Sequence, residues 1–167
     1  MDGPKIRVGE QFYREVNPGV PAAEASVLVH KLRPNDVADA EPPHQVLADL
    51  QKFITGAVLV GHFVKMDLKI LGKELAGTEH QLNNPGVDTA RVQEWILRRE
   101  PYSEDLPHRL ENLDLLSLAK AYGLEYKEAH HALSDAFVTA GIWQKMLYLV
   151  QAKGVRKLGQ LLRIGRV

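Results

Sequence analysis

The stretch AVLVGHFVKMDLKIL, residues 57–71, joins a short apolar run to a helical pattern and decides the class of fold. The run AVLVG, residues 57–61, is flanked by glycine, which is typical of a strand buried on both faces of a parallel sheet. The spacing that follows predicts a helix from about residue 64 to residue 76. Because a strand followed by a helix is the repeating unit of α/β proteins, we predict an α/β fold with an open sheet.

The rest of the chain supplies further elements of the same kind. Residues 5–16 alternate and carry β-forming side chains, so they are predicted to form a strand that ends at the turn Asn17, Pro18 and Gly19. A weaker strand is predicted at 87–89. Further helices are predicted at 22–32, from Pro42 and Pro43 to a stop at Gly56, and at 90–99, 112–122 and 131–153. No linker divides the chain, so residues 1–167 are expected to form a single domain.

The composition excludes several classes of site. The 21 basic and 21 acidic residues give a net charge of zero, which provides no argument for a nucleic-acid partner. The absence of cysteine excludes disulfides, thiolate metal sites and cysteine nucleophiles. The N-terminal residues have no apolar signal-peptide core, and no apolar run approaches membrane-spanning length. A cytoplasmic protein is therefore expected.

Two aspartates are predicted to face the core from the starts of helices. Asp67 shares a helical face with Ile70 and Leu71, away from the lysines of the same helix. Asp135 shares its face with Thr139 and the apolar positions that follow it. Burying a carboxylate is costly unless it is hydrogen-bonded, paired or bound to a cation, so the two acids together predict a metal or catalytic site. The alternatives are acids favoured by the helix dipole, or partners for a nearby arginine.

His130 precedes Asp135 by five residues in the sequence HHALSD. On a continuous helix the two side chains would point about 140° apart, so they converge only if His130 lies on the loop that enters the helix. A histidine there can act as a general base on a metal-bound water, because histidine side chains titrate near working pH. The alternatives are a surface or capping histidine, and an exchange of roles with His131.

The segment HHALSDAFVTA, residues 130–140, resembles the third motif, HxAxxDA, of the DnaQ-like DEDDh family of 3′–5′ exonucleases. His130, Ala132, Asp135 and Ala136 fill its fixed positions, which favours His130 over His131 as the base.

The segment LVGHFVKMDLKIL, residues 59–71, resembles the second motif of the same family, GHNxxFDxxFL, with Asp67 as its acid. Phe63 stands where asparagine is common, and Met66 stands where phenylalanine is common. Other segments are similar to the connecting features and tails of bacterial domains related to the proofreading subunit of the replicative DNA polymerase. These segments are VNPGVP, LVHKLRPNDV, VDTARV and KGVRKLGQLLRIGRV. The resemblance covers nearly the whole chain.

The resemblance implies an RNase H-like fold, in which helices flank a five-stranded mixed sheet. It also implies a site in which four carboxylates and a histidine hold two divalent cations, Mg²⁺ or Mn²⁺. By this resemblance Asp135 binds a metal directly, Asp67 supports the metals and His130 takes the proton of the attacking water. The implied reaction releases nucleotides from the single-stranded 3′ end of DNA or RNA.

The first motif of the family, a DxETTG-like sequence on its first strand, does not occur in residues 1–167. The resemblance therefore implies a domain that lacks the family's first two strands and two of its four metal-binding acids, with the missing acids encoded upstream of Met1. We expect impaired activity from this chain alone. Either residues 5–16 move beside 57–61, or a partner chain fills the gap; a DNA polymerase and a second copy of the chain are the candidate partners.

Two other functions are consistent with the same residues. The first is a non-catalytic remnant of an exonuclease domain that binds nucleic acid or a polymerase. The second is an unrelated metal hydrolase that uses Asp67, His130 and Asp135.

Overall fold

The computed structural model describes residues 1–20, 27, 32–76, 81–99, 112–127 and 130–167. A short 3-10 turn, Pro34–Asp36, precedes the main elements. In chain order these are α1 (Pro43–Ile54), β1 (Leu59–Gly61), α2 (Lys65–Leu75), β2 (Gly86–Asp88), α3 (Thr89–Leu97), α4 (Leu115–Ala121), α5 (Ala132–Ala152) and α6 (Leu158–Ile164). The helix predicted at 22–32 lies outside the described residues except for Val27, which is helical.

The two strands form a parallel sheet in which Val60 lies opposite Val87. On the other edge of β2, an antiparallel bridge joins Val87 to Arg166, and the amide of Asp88 donates to the carbonyl of Gly165 at 2.9 Å. The predicted α/β class is confirmed: each strand is followed by a helix, and helices make up most of the regular secondary structure among the described residues.

The core lies where α5 packs against α3, α4 and β1. Its most deeply buried side chains are apolar and come from these helices and from β2. They include Val87, Val92, Ile96, Leu118, Ile142 and Met146. One polar pair is buried among them, because the hydroxyl of Tyr122 donates to Oε1 of Gln93 at 2.5 Å. This hydrogen bond satisfies a glutamine that is 1% exposed.

Most predicted helices are confirmed within a few residues of their ends. Helix α1 follows Pro42 and is followed by Gly56, whose φ of +73° is a left-handed conformation that glycine adopts without steric cost. The predicted strand at 87–89 is displaced by one residue, since Thr89 already begins α3. Among the described residues, no helix is both long enough and apolar enough to cross a membrane.

The prediction of a strand at residues 5–16 is wrong. This segment makes only isolated bridges, at Lys5 with Asp2 and at Val16 with Glu41, and Val8 is 64% exposed. A β-strand is stable only when a neighbour takes up its backbone N–H and C=O groups, and β-forming side chains do not replace that neighbour. Residues 5–16 do not pair with β1, whose ladder partner in the described part of the chain is β2.

Strand β1 is also less buried than predicted. All three of its residues are of intermediate exposure, whereas burial on both faces was expected. The sheet has two strands in the described part of the chain, so β1 lacks the cover on both faces that a wider sheet between layers of helices provides.

Candidate active site

The carboxyl ends of β1 and β2 lie side by side, and a buried carboxylate joins the turns that follow them. Asp88 is 4% exposed, and its Oδ1 accepts hydrogen bonds from the amide of Ala90 at 2.9 Å and from the amide of Phe63 at 3.2 Å. The first bond caps the N-terminus of α3. The second holds Phe63, whose φ of +51° is unfavourable for a residue with a side chain. Asp88 therefore fixes the turn that leads into α2.

The imidazole of His62 makes a second contact between the same two turns. Its Nδ1 lies 2.9 Å from Oγ1 of Thr89, and its ring lies 4.4 Å from the ring of Phe63. Nε2 is buried and has no hydrogen-bond partner among the described residues. Burial lowers the pKa of His62, and the nearby negative charge of Asp88 opposes this effect. Like Asp88, the imidazole of His62 therefore links the turn after β1 to the start of α3.

Asp67 lies in the first turn of α2, as predicted, but not on a buried face. The residue is exposed, and Ile70 on the same side is 52% exposed. The prediction that Asp67 points into the core is therefore wrong, because its side chain remains accessible to solvent in the described structure. Partial burial of the carboxyl group and, to a smaller extent, the charge of Asp88 still raise the pKa of Asp67.

His130 and Asp135 lie at the entrance to α5. The helix begins at Ala132 with His131 as its N-cap residue, so His130 lies on the loop, where its side chain is not constrained to the helical direction. Its φ of +68° is in the left-handed region. The side of α5 that carries Asp135 is buried as predicted: Thr139 is 7% exposed, and the next apolar residues on that face are fully buried.

A tyrosine hydroxyl holds Asp135. Tyr126 donates to Oδ1 of Asp135 at 2.6 Å, and the backbone of His130 lowers the pKa of the same hydroxyl to a small extent. Burial and the hydrogen bond to Asp135 raise the pKa of Tyr126 to about 12, so the hydroxyl remains a donor at neutral pH. Asp135 is therefore held at the point where the loop of His130 meets α5.

His131, the alternative base, is engaged differently. Its ring stacks on Tyr13 with 5.6 Å between ring centroids, and its carbonyl accepts from the amide of Asp135 at 2.9 Å. These contacts indicate a structural role for His131 at the start of α5.

The predicted site residues fall into two groups. Asp67 is electrostatically coupled to Asp88, whereas Asp135 is bonded to Tyr126. In the described part of the chain, no three His, Asp or Glu side chains come together as ligands for one metal ion. Within the same residues neither Asp67 nor Asp135 pairs with an arginine, which was one of the two alternative explanations; both lie in the first turn of a helix, as the other explanation, the helix dipole, requires. The two aspartates alone do not complete a metal site.

The sequence analysis missed Asp88 and Tyr126. Asp88 carried a usable signal, because Asp followed by Thr89 and Ala90 at the start of a helical pattern is typical of an N-cap. Tyr126 carried none, since its contact with Asp135 depends on how the loop before α5 folds back.

The same fold occurs in a solved exonuclease structure. A solved structure of exonuclease X in complex with 5′ overhanging duplex DNA has the same fold, with a TM-score of 0.60 and 18% sequence identity; the match covers 89% of this chain and 77% of that chain. The RNase H-like exonuclease fold is thereby confirmed. The exonuclease family model (RNase_T) matches residues 1–143. The chain belongs to this family, as a DnaQ-like 3′–5′ exonuclease domain.

The similar proteins are named as DNA polymerase III proteins or as like its epsilon subunit. The chain is 31% identical over 156 residues to a DNA polymerase III subunit epsilon-like protein of Rhodobacter capsulatus, covering 92% of this chain and 21% of that protein. It is 26% identical over 155 residues to the PolC-type DNA polymerase III of Caldanaerobacter subterraneus, covering 93% of this chain and 10% of that protein. The chain therefore spans between a tenth and about a fifth of the length of these two relatives.

Proposed function

We propose that residues 1–167 form a single DEDDh-type exonuclease domain that releases nucleotides from single-stranded 3′ ends of DNA or RNA, and that its activity is impaired in this chain alone. The observation that supports the site is the hydrogen bond from the hydroxyl of Tyr126 to the carboxylate of Asp135, at the start of the helix whose entering loop carries His130. A base next to a metal-binding carboxylate is what phosphodiester hydrolysis requires.

The proposed roles follow from the positions of the three residues. His130 is exposed on a loop, where it can accept a proton from water near the phosphodiester. Asp135, fixed by Tyr126, and Asp67, in the first turn of α2, would each contribute an oxygen ligand to Mg²⁺ or Mn²⁺. The family generally uses divalent metals, and such an ion stabilises developing charge on phosphate oxygens.

The proposed impairment follows from the number of ligands. Two carboxylates from the described residues do not hold a divalent ion in a catalytic geometry, so further ligands must come from elsewhere in the protein or from a partner chain. Because the relatives are named as a DNA polymerase III or as like its epsilon subunit, we propose a DNA polymerase as that partner, with a second copy of the chain as the alternative.

The test is the shortening of a 5′-fluorescein-labelled single-stranded 20-mer, as DNA and as RNA, with Mg²⁺, Mn²⁺ or a chelator. The natural protein that contains this chain is expected to shorten the oligonucleotide from its 3′ end, and residues 1–167 alone at least about 100-fold more slowly. Asp135→Ala is expected to abolish shortening. The matched control is Asp49→Ala, which removes an exposed acid of α1, a helix that carries none of the proposed site residues. Metal-dependent shortening that survives Asp135→Ala would refute the assigned role.

The lack of a third metal ligand among the described residues also favours a second function, a non-catalytic remnant that binds nucleic acid or a polymerase. This function predicts that the natural protein retains the labelled oligonucleotide in a binding assay, with or without Mn²⁺, and releases no nucleotide. Metal-dependent release of mononucleotides excludes it.

A further inference from the structure

Four cationic side chains surround one groove on the side of the sheet where β2 begins. The groove has a volume of about 710 Å³ and lies between α2, which contributes Lys65 and Lys69, and the C-terminal residues, which contribute Arg163 and Arg166. All four residues are exposed, and none of the described residues that line the groove is Asp or Glu. None of the four forms an ion pair within the described structure. In a chain of zero net charge, this is a local concentration of positive charge.

The floor of the groove is apolar. It is built from leucines of three different segments, Leu68 in α2, Leu82 before β2 and Leu162 in α6. Each is of intermediate exposure, so a bound group can cover apolar surface that water now reaches. The groove therefore combines cationic rims with an apolar floor.

The walls are held by contacts that do not depend on a ligand. Leu68 packs so closely on the start of β2 that a Cβ atom on Gly86 would lie 2.7 Å from its Cδ1. The side chain of Asn84 donates to the carbonyl of Ile54 at 2.7 Å and to that of Ala57 at 2.8 Å, which fixes the segment before β2. The opposite wall is fixed by the backbone bridge of Arg166 to β2. A preformed groove of this kind loses little conformational entropy on binding.

The groove is separate from the candidate active site. On α2, the lysines at 65 and 69 point roughly 160° away from Asp67. The groove includes Gly86, the first residue of β2, whereas the site includes Asp88, the last. An occupant of the groove therefore leaves Asp67 accessible.

We propose that this groove binds an acidic peptide segment of a partner protein, with leucine-type side chains on the floor and carboxylates on both rims. Charge complementarity with the four cations and burial of apolar side chains on the three leucines favour such a segment. A nucleic-acid strand fits the groove less well. None of the described residues that line the groove is aromatic, so none can stack on a base, and the leucines of the floor offer no hydrogen-bond donor to phosphate oxygens.

The proposal is tested by fluorescence anisotropy with the full natural chain and three fluorescein-labelled probes. The first probe is the peptide Glu-Asp-Leu-Glu-Asp-Leu-Leu-Glu, the second its isosteric Gln/Asn counterpart, and the third a 12-nucleotide oligothymidylate. The acidic peptide is expected to bind, to bind at least about tenfold more weakly when ionic strength rises from about 0.05 to 0.3 M, and to bind more tightly than the neutral peptide.

The variants locate the binding surface. The double variant K69E/R163E is expected to weaken binding of the acidic peptide at least about tenfold. The matched control K120E/R156E makes the same change of charge at two exposed positions outside the groove and is expected to leave binding unchanged. Circular dichroism and the thermal midpoint establish that each variant is folded.

Three results would overturn the proposal. The first is that the acidic peptide does not bind measurably, and the second is that K69E/R163E and K120E/R156E weaken its binding equally. The third is that the oligothymidylate alone binds and that K69E/R163E weakens this binding. The last result would identify the groove as a nucleic-acid surface.

Discussion

Replacing Asp88 by alanine tests whether this carboxylate holds the turn between β1 and α2, the helix that carries Asp67. The variant removes the N-cap of α3, which costs about 1 kcal/mol of folding free energy. It also leaves the partly buried amide of Phe63 without its acceptor, which costs about 1–2 kcal/mol more. The expected loss in the free energy of unfolding is therefore about 2–3 kcal/mol.

The assay is equilibrium unfolding in urea, followed by circular dichroism, with the slope against urea concentration compared between variants. The control is Asp88→Asn, whose side-chain oxygen can accept the same two hydrogen bonds, since asparagine is as good an N-cap as aspartate. We expect the control to lose less than about 1 kcal/mol. The reasoning is refuted if Asp88→Ala unfolds within about 0.5 kcal/mol of the parent protein, or if both variants lose the same amount.

The same control separates charge from hydrogen bonding. Because the charge of Asp88 contributes to the raised pKa of Asp67, the carboxyl of Asp67 is expected to titrate at lower pH in Asp88→Asn. The measurement is an NMR titration of the side-chain carboxyl carbon. An unchanged titration would show that burial alone raises this pKa.

Three further substitutions test other contacts. Tyr122→Phe leaves Oε1 of the buried Gln93 without its donor and is expected to cost about 1–3 kcal/mol in urea unfolding, whereas a loss below about 0.5 kcal/mol would contradict the contact. The pKa of the Asp67 carboxyl is raised in the folded protein, so the protonated carboxyl stabilises the fold at low pH and this stabilisation is lost as pH rises through the folded pKa. Asp67→Asn is therefore expected to stabilise the fold by less than about 1 kcal/mol near pH 7 and to have no such effect below about pH 3. Destabilisation by Asp67→Asn at pH 7 would refute this. Tyr126→Phe removes the donor to Asp135 and is expected to destabilise the fold by about 1 kcal/mol. Because the pKa of Tyr126 is raised to about 12, the difference in the free energy of unfolding between parent and variant should disappear as pH rises from about 10 to 12. A difference that does not change with pH would count against the hydrogen bond.

The helices and the candidate residues at their starts were predictable because the information is local. Apolar spacing and the breakers Pro42 and Gly56 define α1, and the same kind of pattern gives the buried side of α5 that carries Asp135. The position of His130 on the loop before α5 also follows from the helix boundary.

The errors of prediction concern pairing and coverage between distant segments. Residues 5–16 have the composition of a strand, but a strand needs a neighbour, and the described structure provides none along their length. Asp67 has apolar neighbours on its helical face, yet periodicity does not reveal whether another element covers that face.

The sequence by itself determined the α/β class, the helices and the two motifs that contain Asp67 and Asp135, because helical periodicity and capping depend on residues a few positions apart. Only the tertiary structure decided that Asp88 fixes the turn before α2 and that Tyr126 holds Asp135. It also decided that the described carboxylates do not meet in one metal site. These features depend on contacts between residues that are far apart in the chain or in separate turns. The spacing of residue types along a sequence does not show which segments approach each other in the folded protein.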